Sequence, residues 1–519
     1  MTKPLDTLAQ QFDVGFDVAG RAGTWYALSR KLMAELRIAE AMLAIERACA
    51  LDPRHLQARS LRKAILAEIH AMPSDIAALD LAAALEPTAA KNQLELAFAL
   101  ADHDDSTGAE RAFKRAIELD RGLADAYAGL GSLYLRREDE DQAQQLAQIA
   151  LDLSPCHPVA SQTLSSILDK RGDHAEAEAI LDRAYGARSL FFEPAKQSRM
   201  TVLVLVTRSQ GNIPYRHLMP PSQYTRLVWY MEHAHQSAAD LPDYDVIFNA
   251  IGDPDIAAAT RGPVFKFRTE TDGRFLNEPG QVELTQRHRL AELLGEDEQV
   301  LLPATIRLTK IDVKETGLEA AIERTGMNLP VLVRPIGSHG GAGLVRVDTR
   351  AELLALTEQI QGKDIYVTAY VDYRSDDNYC RKGRIIFVDR KPYPYHWAIS
   401  EHWMVHYDTA DMDRQEAMRS EEARFLKDPG EVIGAKALQA IDNIGVKLDL
   451  DYCGIDFSVM PDGRLLVFEA NPAMLVHPEP EGSLFAYKNV AVRNIIKAFQ
   501  AHLERKDVQA SAVLSTTEE

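Results

Sequence analysis

The stretch GIDFSVMPDGRLLVFEAN, residues 454–471, decides how the second half of this chain is read. Two apolar runs, residues 454–459 and 465–468, flank Pro461-Asp462-Gly463, so a β-hairpin is predicted. Asp456 interrupts the first run, Glu469 closes the second, and Asn471 follows. Residues two apart on an extended chain share a face, so Glu469 and Asn471 point the same way. Both acids sit in apolar contexts, Ile455-Asp456-Phe457 and Phe468-Glu469-Ala470, where an ionised carboxyl requires a partner or a metal. Two carboxylates and an amide oxygen form a hard, oxygen-only donor set. Magnesium takes such sets and completes its shell with phosphate oxygens and water. The plain alternative is a pair of solvated strand residues.

Upstream, Val331-Leu-Val-Arg334-Pro335 reads as an apolar strand ending in a cation, where a charge calls for an anion. The loop Gly337-Ser338-His339-Gly340-Gly341-Ala342-Gly343 follows. Its glycines allow backbone N–H groups to close over phosphates, although many glycine loops are only turns. Around these landmarks, strands are predicted over residues 330–334, 344–347, 365–371 and 384–388, and helices over 284–294, 316–325, 351–361 and 433–448. A polar insertion spans about residues 400–430. Earlier, compact apolar runs at 201–206 and 245–249 read as buried parallel strands with helical stretches between them, and 263–267 as a third strand. Together they suggest a small βαβ-like domain over 199–280, without a G-x-G-x-x-G dinucleotide fingerprint.

The first 190 residues follow a different grammar. Trp25, Leu28, Ser29, Leu32, Ala41, Ile45, Ala48 and Pro53 recur after three shifts of 34 residues as Tyr127, Leu130, Gly131, Tyr134, Ala143, Ala147, Ala150 and Pro155. The same offsets hold for Leu96, Ala97, Leu100, Ala109, Phe113 and Ala116. Small residues let two helices of a hairpin approach closely, large ones fill the gap between hairpins, and proline ends each unit. The pattern resembles the tetratricopeptide repeat, in five copies over residues 22–191 after a lead-in of residues 1–21. That resemblance implies an all-α solenoid with a concave groove for a peptide or partner protein. Alternatively, the array only shapes or dimerises the second half.

The hairpin acids, the glycine loop and Arg334 together resemble the ATP-grasp fold over residues 281–505, preceded by a small Rossmann-like domain at 199–280. The separation of 13 residues from Asp456 to Glu469, the E-x-N pattern and the Asp462-Gly463 turn are similar to those of D-alanine–D-alanine ligases and their relatives. The whole chain resembles bacterial proteins in which tetratricopeptide repeats are joined to an ATP-grasp domain. The resemblance implies ATP as substrate. Its phosphates would lie under Gly337, Ser338, Gly340, Gly341 and Gly343 beside Arg334, which stands where lysine is usual. Arg287, or else Arg289, occupies the place of an earlier lysine. Adenine would meet a hinge strand at Thr368, Tyr370 and Val371, with Asp372 or a later acid at the ribose. Asp456, Glu469 and Asn471 would hold two Mg2+ ions. The implied reaction phosphorylates a carboxylate, and an amine attacks the acyl phosphate to form an amide or peptide bond. Arg384 is the candidate for binding the acyl phosphate or carboxylate; a solvated strand end is the alternative. Gly454 stands where D-alanine ligases carry an arginine, so a D-alanine substrate is not implied. A phosphotransferase and a non-catalytic nucleotide-binding scaffold are the competing readings.

Residues 393–397 and 402–407 are rich in aromatics and carry His396, His402 and His406. No cysteine or carboxylate stands at zinc-ligand spacing, so a substrate-binding wall is preferred, against simple packing of the insertion. Glu421 and Glu422 offer amine recognition or, more plainly, a solvated helix face. The chain has 519 residues and a formal net charge of -19, which repels a phosphate backbone and argues against nucleic-acid binding. Cys49, Cys156, Cys380 and Cys453 are far apart and read as free thiols in a reducing compartment. The opening residues lack a secretory pattern and no apolar run approaches membrane-spanning length, so no membrane partner is expected and the cytoplasm is the expected compartment. The polar residues 507–519 are expected to be disordered.

Overall fold

A computed structural model describes residues 22–505, apart from positions 36, 53–54, 72–73, 104, 196, 339, 361, 408–409 and 481. The lead-in, the polar tail and the loop residue His339 lie outside the described residues. The chain divides into two compact units, Met1–Arg188 and Ser189–Glu519.

The first unit is a series of helix hairpins: Ala22–Ala34 with Ile38–Leu51, Leu56–Ala71 with Ser74–Leu85, Ala90–Asp102 with Ser106–Leu119, Ala124–Arg136 with Glu140–Leu153, and Pro158–Arg171 with His174–Ala187. The small residues of the repeat pattern sit where helices cross. Ala41, Ala109, Ala143 and Ala147 are fully buried. A Cβ on Gly131 would stand 3.3 Å from the Ala143 carbonyl oxygen. Asp105 and Asp139 cap their helices by accepting from Gly108 N at 2.8 Å and Gln142 N at 3.2 Å.

The strands of the second unit are, in chain order, β1 (Leu190–Glu193), β2 (Thr201–Val206), β3 (Thr225–Tyr230), β4 (Val246–Asn249), β5 (Phe275–Leu276), β6 (Val300–Leu301), β7 (Thr305–Leu308), β8 (Val331–Pro335), β9 (Val345–Val347), β10 (Ile365–Ala369), β11 (Cys380–Val388), β12 (Lys391–Ser400), β13 (Tyr452–Val459) and β14 (Leu465–Asn471). They form three sheets, ordered β1-β3-β2-β4-β5, β7-β10-β8-β9 and β12-β11-β13-β14-β6. The first is parallel except at its edge β1, the second is antiparallel, and the third is antiparallel except for β6.

Several sequence expectations are corrected. Residues 263–267 are not a strand but part of the helix Arg261–Glu270. Val264 and Phe267, three apart, are the buried pair, so the period is helical. The segment between β2 and β4 carries β3 rather than a run of helix; its only α-helix among the described residues is Tyr215–Leu218. Strand β1 begins at Leu190, so the last two residues assigned from sequence to the repeats, Leu190 and Phe191, belong to it. The helix expected over 284–294 is two helices, Pro279–Leu284 and Leu290–Leu294, with Arg287 between them. The helix expected over 316–325 is present as Leu318–Arg324, and Gly317 at φ 80° separates it from a further helix, Lys310–Thr316, that lies outside the expected range.

The sheets are not independent. One core joins Val204, Phe248 and Leu276 of the first sheet to Ile386 and Tyr452 of the third, and to Val492, Ile495 and Phe499 of the helix Asn489–Leu503. The boundary expected near residue 280 therefore runs through a shared core. Among the described residues no helix is long and apolar enough to cross a membrane.

Candidate functional site

Strict alternation in β7, β10 and β8 gives the second sheet two faces. Leu308, Ile365, Val367, Val331 and Val333 turn into a core with the helices Lys310–Thr316, Leu318–Arg324 and Arg350–Gln359. The residues between them point the other way. Arg307, Tyr366 and Arg334 are directly opposed across the three strands, and Thr305, Thr368 and Leu332 form the next row. This second face looks onto a cavity of about 200 Å³.

The opposite wall comes from β13 and β14. Asp456 and Glu469 are cross-strand partners, and a bulge leaves Phe468 without a partner of its own. The extra residue lets Phe468 and Glu469, neighbours in sequence, both line the cavity. The sequence-derived acids are thus brought together, with Asn471 opposite Gly454 on the same hairpin. Lys382 and Arg384 approach from β11. Arg384 Nε and Nη2 donate to the two Asp456 oxygens at 2.6 and 3.0 Å, and Lys382 Nζ stands 3.1 Å away. Arg287 pairs with Glu469, and the Asn471 side-chain oxygen accepts from Ala473 N at 2.8 Å.

The charges decide the character of the cavity. Four cations, Arg287, Arg334, Lys382 and Arg384, line it with only two carboxylates, Asp456 and Glu469. Burial alone would raise the Asp456 carboxyl, but Arg384 and Lys382 outweigh it and hold the group well below the usual carboxylate range. Arg334 has no carboxylate partner among the described residues. It donates to the Ser338 carbonyl and, at 3.3 Å, to the Ser338 hydroxyl. Burial, then the charge of Arg287, lowers it to about 10. A guanidinium in that state gains from an arriving anion.

The other end of the cavity is apolar, with Leu332, Leu344, Tyr370, Trp403 and Phe468 as walls. Tyr370 lies under Arg346 at 4.0 Å and meets Trp403 edge-on. The backbone N–H groups of Ala369 and Tyr370 are used, by Ala304 O and Pro330 O, whereas that of Val371 has no hydrogen-bond partner among the described residues. Above the cavity the glycine loop faces the segment 403–406. A Cβ on Gly340 would come 3.3 Å from His406 Nε2, and one on Gly341 3.5 Å from Met404 Sδ. Gly337 and Ser338 line an adjoining pocket with Arg287, Arg334, Glu469 and Asn471.

Other sequence candidates fall elsewhere. Gly343 at φ 67° turns tightly over Pro335 and does not line the cavity. Asp372 is exposed and pairs with Arg374 at 3.0 Å. The three histidines are not assembled: His406 lines the cavity, His402 is exposed, and His396 is buried with its ring stacked on Tyr407. Burial and Arg384 push His396 well below the usual imidazole value, so it is neutral. Among the described residues no group of three or more His, Cys, Asp or Glu side chains could hold a metal.

Glu422 corrects the expectation of a solvated helix face. It is fully buried and accepts from Trp397 N at 2.9 Å, from Tyr407 OH at 2.8 Å and from Tyr487 OH. Glu421 takes Arg381 at 2.8 Å and the Trp397 indole at 2.9 Å. Both acids brace β12 and the segment beyond it rather than meeting an amine. Sequence reading missed Leu332, Phe468 and Tyr366. The alternation within TIRL, VLVRP and IYVTA was the available signal.

No family model matches the chain, and no curated protein does. Among solved structures, a MamA protein is 23% identical, with 32% of this chain and 90% of that one covered at a TM-score of 0.20. A RimK domain ATP-grasp protein from Sphaerobacter thermophilus DSM 20745 is 13% identical, covering 58% of this chain and 96% of its own at 0.34. A carboxyaminoimidazole ribonucleotide synthase from Aspergillus clavatus, complexed with ATP, is 10% identical, covering 57% and 77% at 0.36. Likenesses this distant carry no argument about chemistry, which rests on the site's own residues.

Proposed function

We propose that the second unit is an ATP-dependent carboxylate–amine ligase of the ATP-grasp kind, working through an acyl phosphate. One observation carries this reading: a single cavity joins an apolar, aromatic wall to a surplus of cations. A purine suits the first end and a polyphosphate the second. Thr368, Tyr370 and Val371 border the purine end, with the Val371 N–H available to a ring nitrogen. Arg287 and Arg334 take the phosphates beneath the glycine loop.

Asp456, Glu469 and Asn471 fit magnesium in kind, being hard oxygen donors on one hairpin. When bound there, the ion would supply further neutralisation of phosphate charge. Arg384, held in place by Asp456, is aimed along the same wall and orients the carboxylate that accepts the phosphoryl group. Cations on both sides of the transferring group stabilise its charge, and the loops over the cavity limit water. No side-chain nucleophile is needed. In the first unit, a groove of about 890 Å³ lined by Arg37, Asp80, Leu96, Arg111 and Lys114 is the docking face proposed for a peptide or partner protein.

The test is ATP turnover by the full chain with magnesium and a pool of amino acids and peptides, scoring ADP and product mass. ADP with an amide-linked product supports the ligase. A phosphorylated product identifies a phosphotransferase, and ATP binding without ADP identifies a scaffold. Absence of ATP binding overturns the reading.

A further inference from the structure

Loop 252–256 follows β4 and is held from both sides. Gly252 N and Asp253 N donate to Gly211 O at 2.9 and 3.0 Å. An Asp253 oxygen accepts from Asp255 N at 2.9 Å and Ile256 N at 3.2 Å. A Cβ on Gly252 would stand 2.7 Å from Ala473 N, just beyond β14. The loop is therefore fixed to the segment that follows β2 and wedged against the end of the acid-bearing hairpin.

From this fixed point Asp255 reaches the second sheet with both oxygens. Oδ1 accepts from Arg307 Nη1 at 3.0 Å and from Gln286 Nε2 at 2.7 Å, and Oδ2 accepts from Tyr366 OH at 2.6 Å. The side chain is 10% exposed. Each partner adjoins a cavity cation. Arg307 and Tyr366 share one cross-strand row with Arg334, and Gln286 precedes Arg287.

We propose that Asp255 is a positioning residue that ties the first sheet to the row Arg307–Tyr366–Arg334 and so sets where Arg334 and Arg287 meet the nucleotide phosphates. It borders the pocket of Gly337 and Ser338 beside Arg287 and Arg334, and acts on these cations through its three donors. The carboxylate also neutralises Arg307, which would otherwise add to the repulsion between Arg334 and Arg287. Without it the row keeps its strand pairing but loses its fixed orientation. The role in catalysis rests on the ligase reading; the mechanical tie does not.

The experiment compares the full chain with Asp255→Asn, which preserves shape and removes the charge, and with Asp255→Asn combined with Arg307→Gln. Two quantities are read: the Kd for Mg-ATP, and hydrogen exchange in nucleotide-free protein. Losing a hydrogen-bonded charge should weaken nucleotide binding about tenfold or more. The expected result is that loss, with faster exchange in residues 331–335 and 365–369, unchanged exchange in β2 and β4, and partial recovery of affinity in the double variant. Exchange unchanged in the second sheet, or quickened equally in both sheets, overturns the tie. Affinity within about twofold of wild type, alongside local loosening, overturns the positioning of the cations. If wild-type protein binds no ATP, the ligase reading fails by itself while the exchange data still decide the tie.

Discussion

Replacing Asp456 by asparagine tests the charge balance of the cavity. Asp456 is 2% exposed and meets three cationic nitrogens at 2.6, 3.0 and 3.1 Å. Asparagine preserves the volume and one acceptor but removes the charge. Lys382 and Arg384, each with a side chain 19% exposed, then face each other uncompensated. Breaking a buried pair this way costs roughly 3–5 kcal/mol, and the cavity's access to water places this case near the lower figure. At about 2–4 °C per kcal/mol, the second unit should melt roughly 6–12 °C lower. The assay is thermal unfolding of the full chain by circular dichroism at pH 7. The sign with pH follows from the depressed carboxyl: its contribution is present above the unfolded value near 3.8 and lost as pH falls toward the folded one. The difference between variant and wild type should therefore shrink in acid. Adding Arg384→Met should recover part of the loss. A variant that melts with wild type at pH 7 would refute the account of the cavity as a surplus of charge held by Asp456.

Asp80, in the repeats, accepts from Ala39 N at 2.9 Å, and burial raises its carboxyl from 3.8 to about 6. A raised carboxyl stabilises below its unfolded value and stops doing so as pH rises through about 6. The first unit should lose on the order of 3 kcal/mol from this group between pH 4 and 8, and Asp80→Asn should flatten that slope in urea titrations. Gly445→Ala places a Cβ 2.2 Å from the Arg390 carbonyl oxygen and 2.8 Å from Phe387, so roughly 1–3 kcal/mol of overpacking, or more, should appear in the same measurement. Gly341, at φ 80° with only ordinary contact to Met404, should suffer about 1–2 kcal/mol of backbone strain as alanine. The effect should appear as a several-fold rise in KM for ATP with the melting temperature lowered by about 2–8 °C; unchanged kinetics would remove the glycine loop from the nucleotide site.

The repeats were legible because helix crossings demand small residues at fixed offsets: Gly131, Ala143 and Ala147 are where backbones meet. The hairpin was legible because an acid inside an apolar run has few uses. What sequence could not supply was depth. Thr225–Tyr230, buried along its length save Tyr230, carries Thr and Arg among its apolar residues and does not announce a strand. Arg226 pairs with Glu193, on the neighbouring strand, and donates to Met219 O. Glu422 looks like a surface residue on a polar helix until Tyr407 and Tyr487 converge on it from distant segments. Asp255 likewise lies in a short turn whose partners are 31, 52 and 111 residues away.

The helix Asn489–Leu503 completes the core of a sheet that begins nearly three hundred residues earlier. Phe499 meets Phe248 edge-on at 5.1 Å, and Arg274 donates to the carbonyls of His502, Leu503 and Arg505. During synthesis, strands β2 to β5 leave the ribosome with one side covered only in part, by Ile213, Leu218 and Met219, and that core is completed when this helix emerges. The repeats, built from neighbouring contacts, can fold as they appear, while the second unit must wait. The interval, in which Val204 and Phe248 are open to chance partners, is where a chaperone would matter most to this chain.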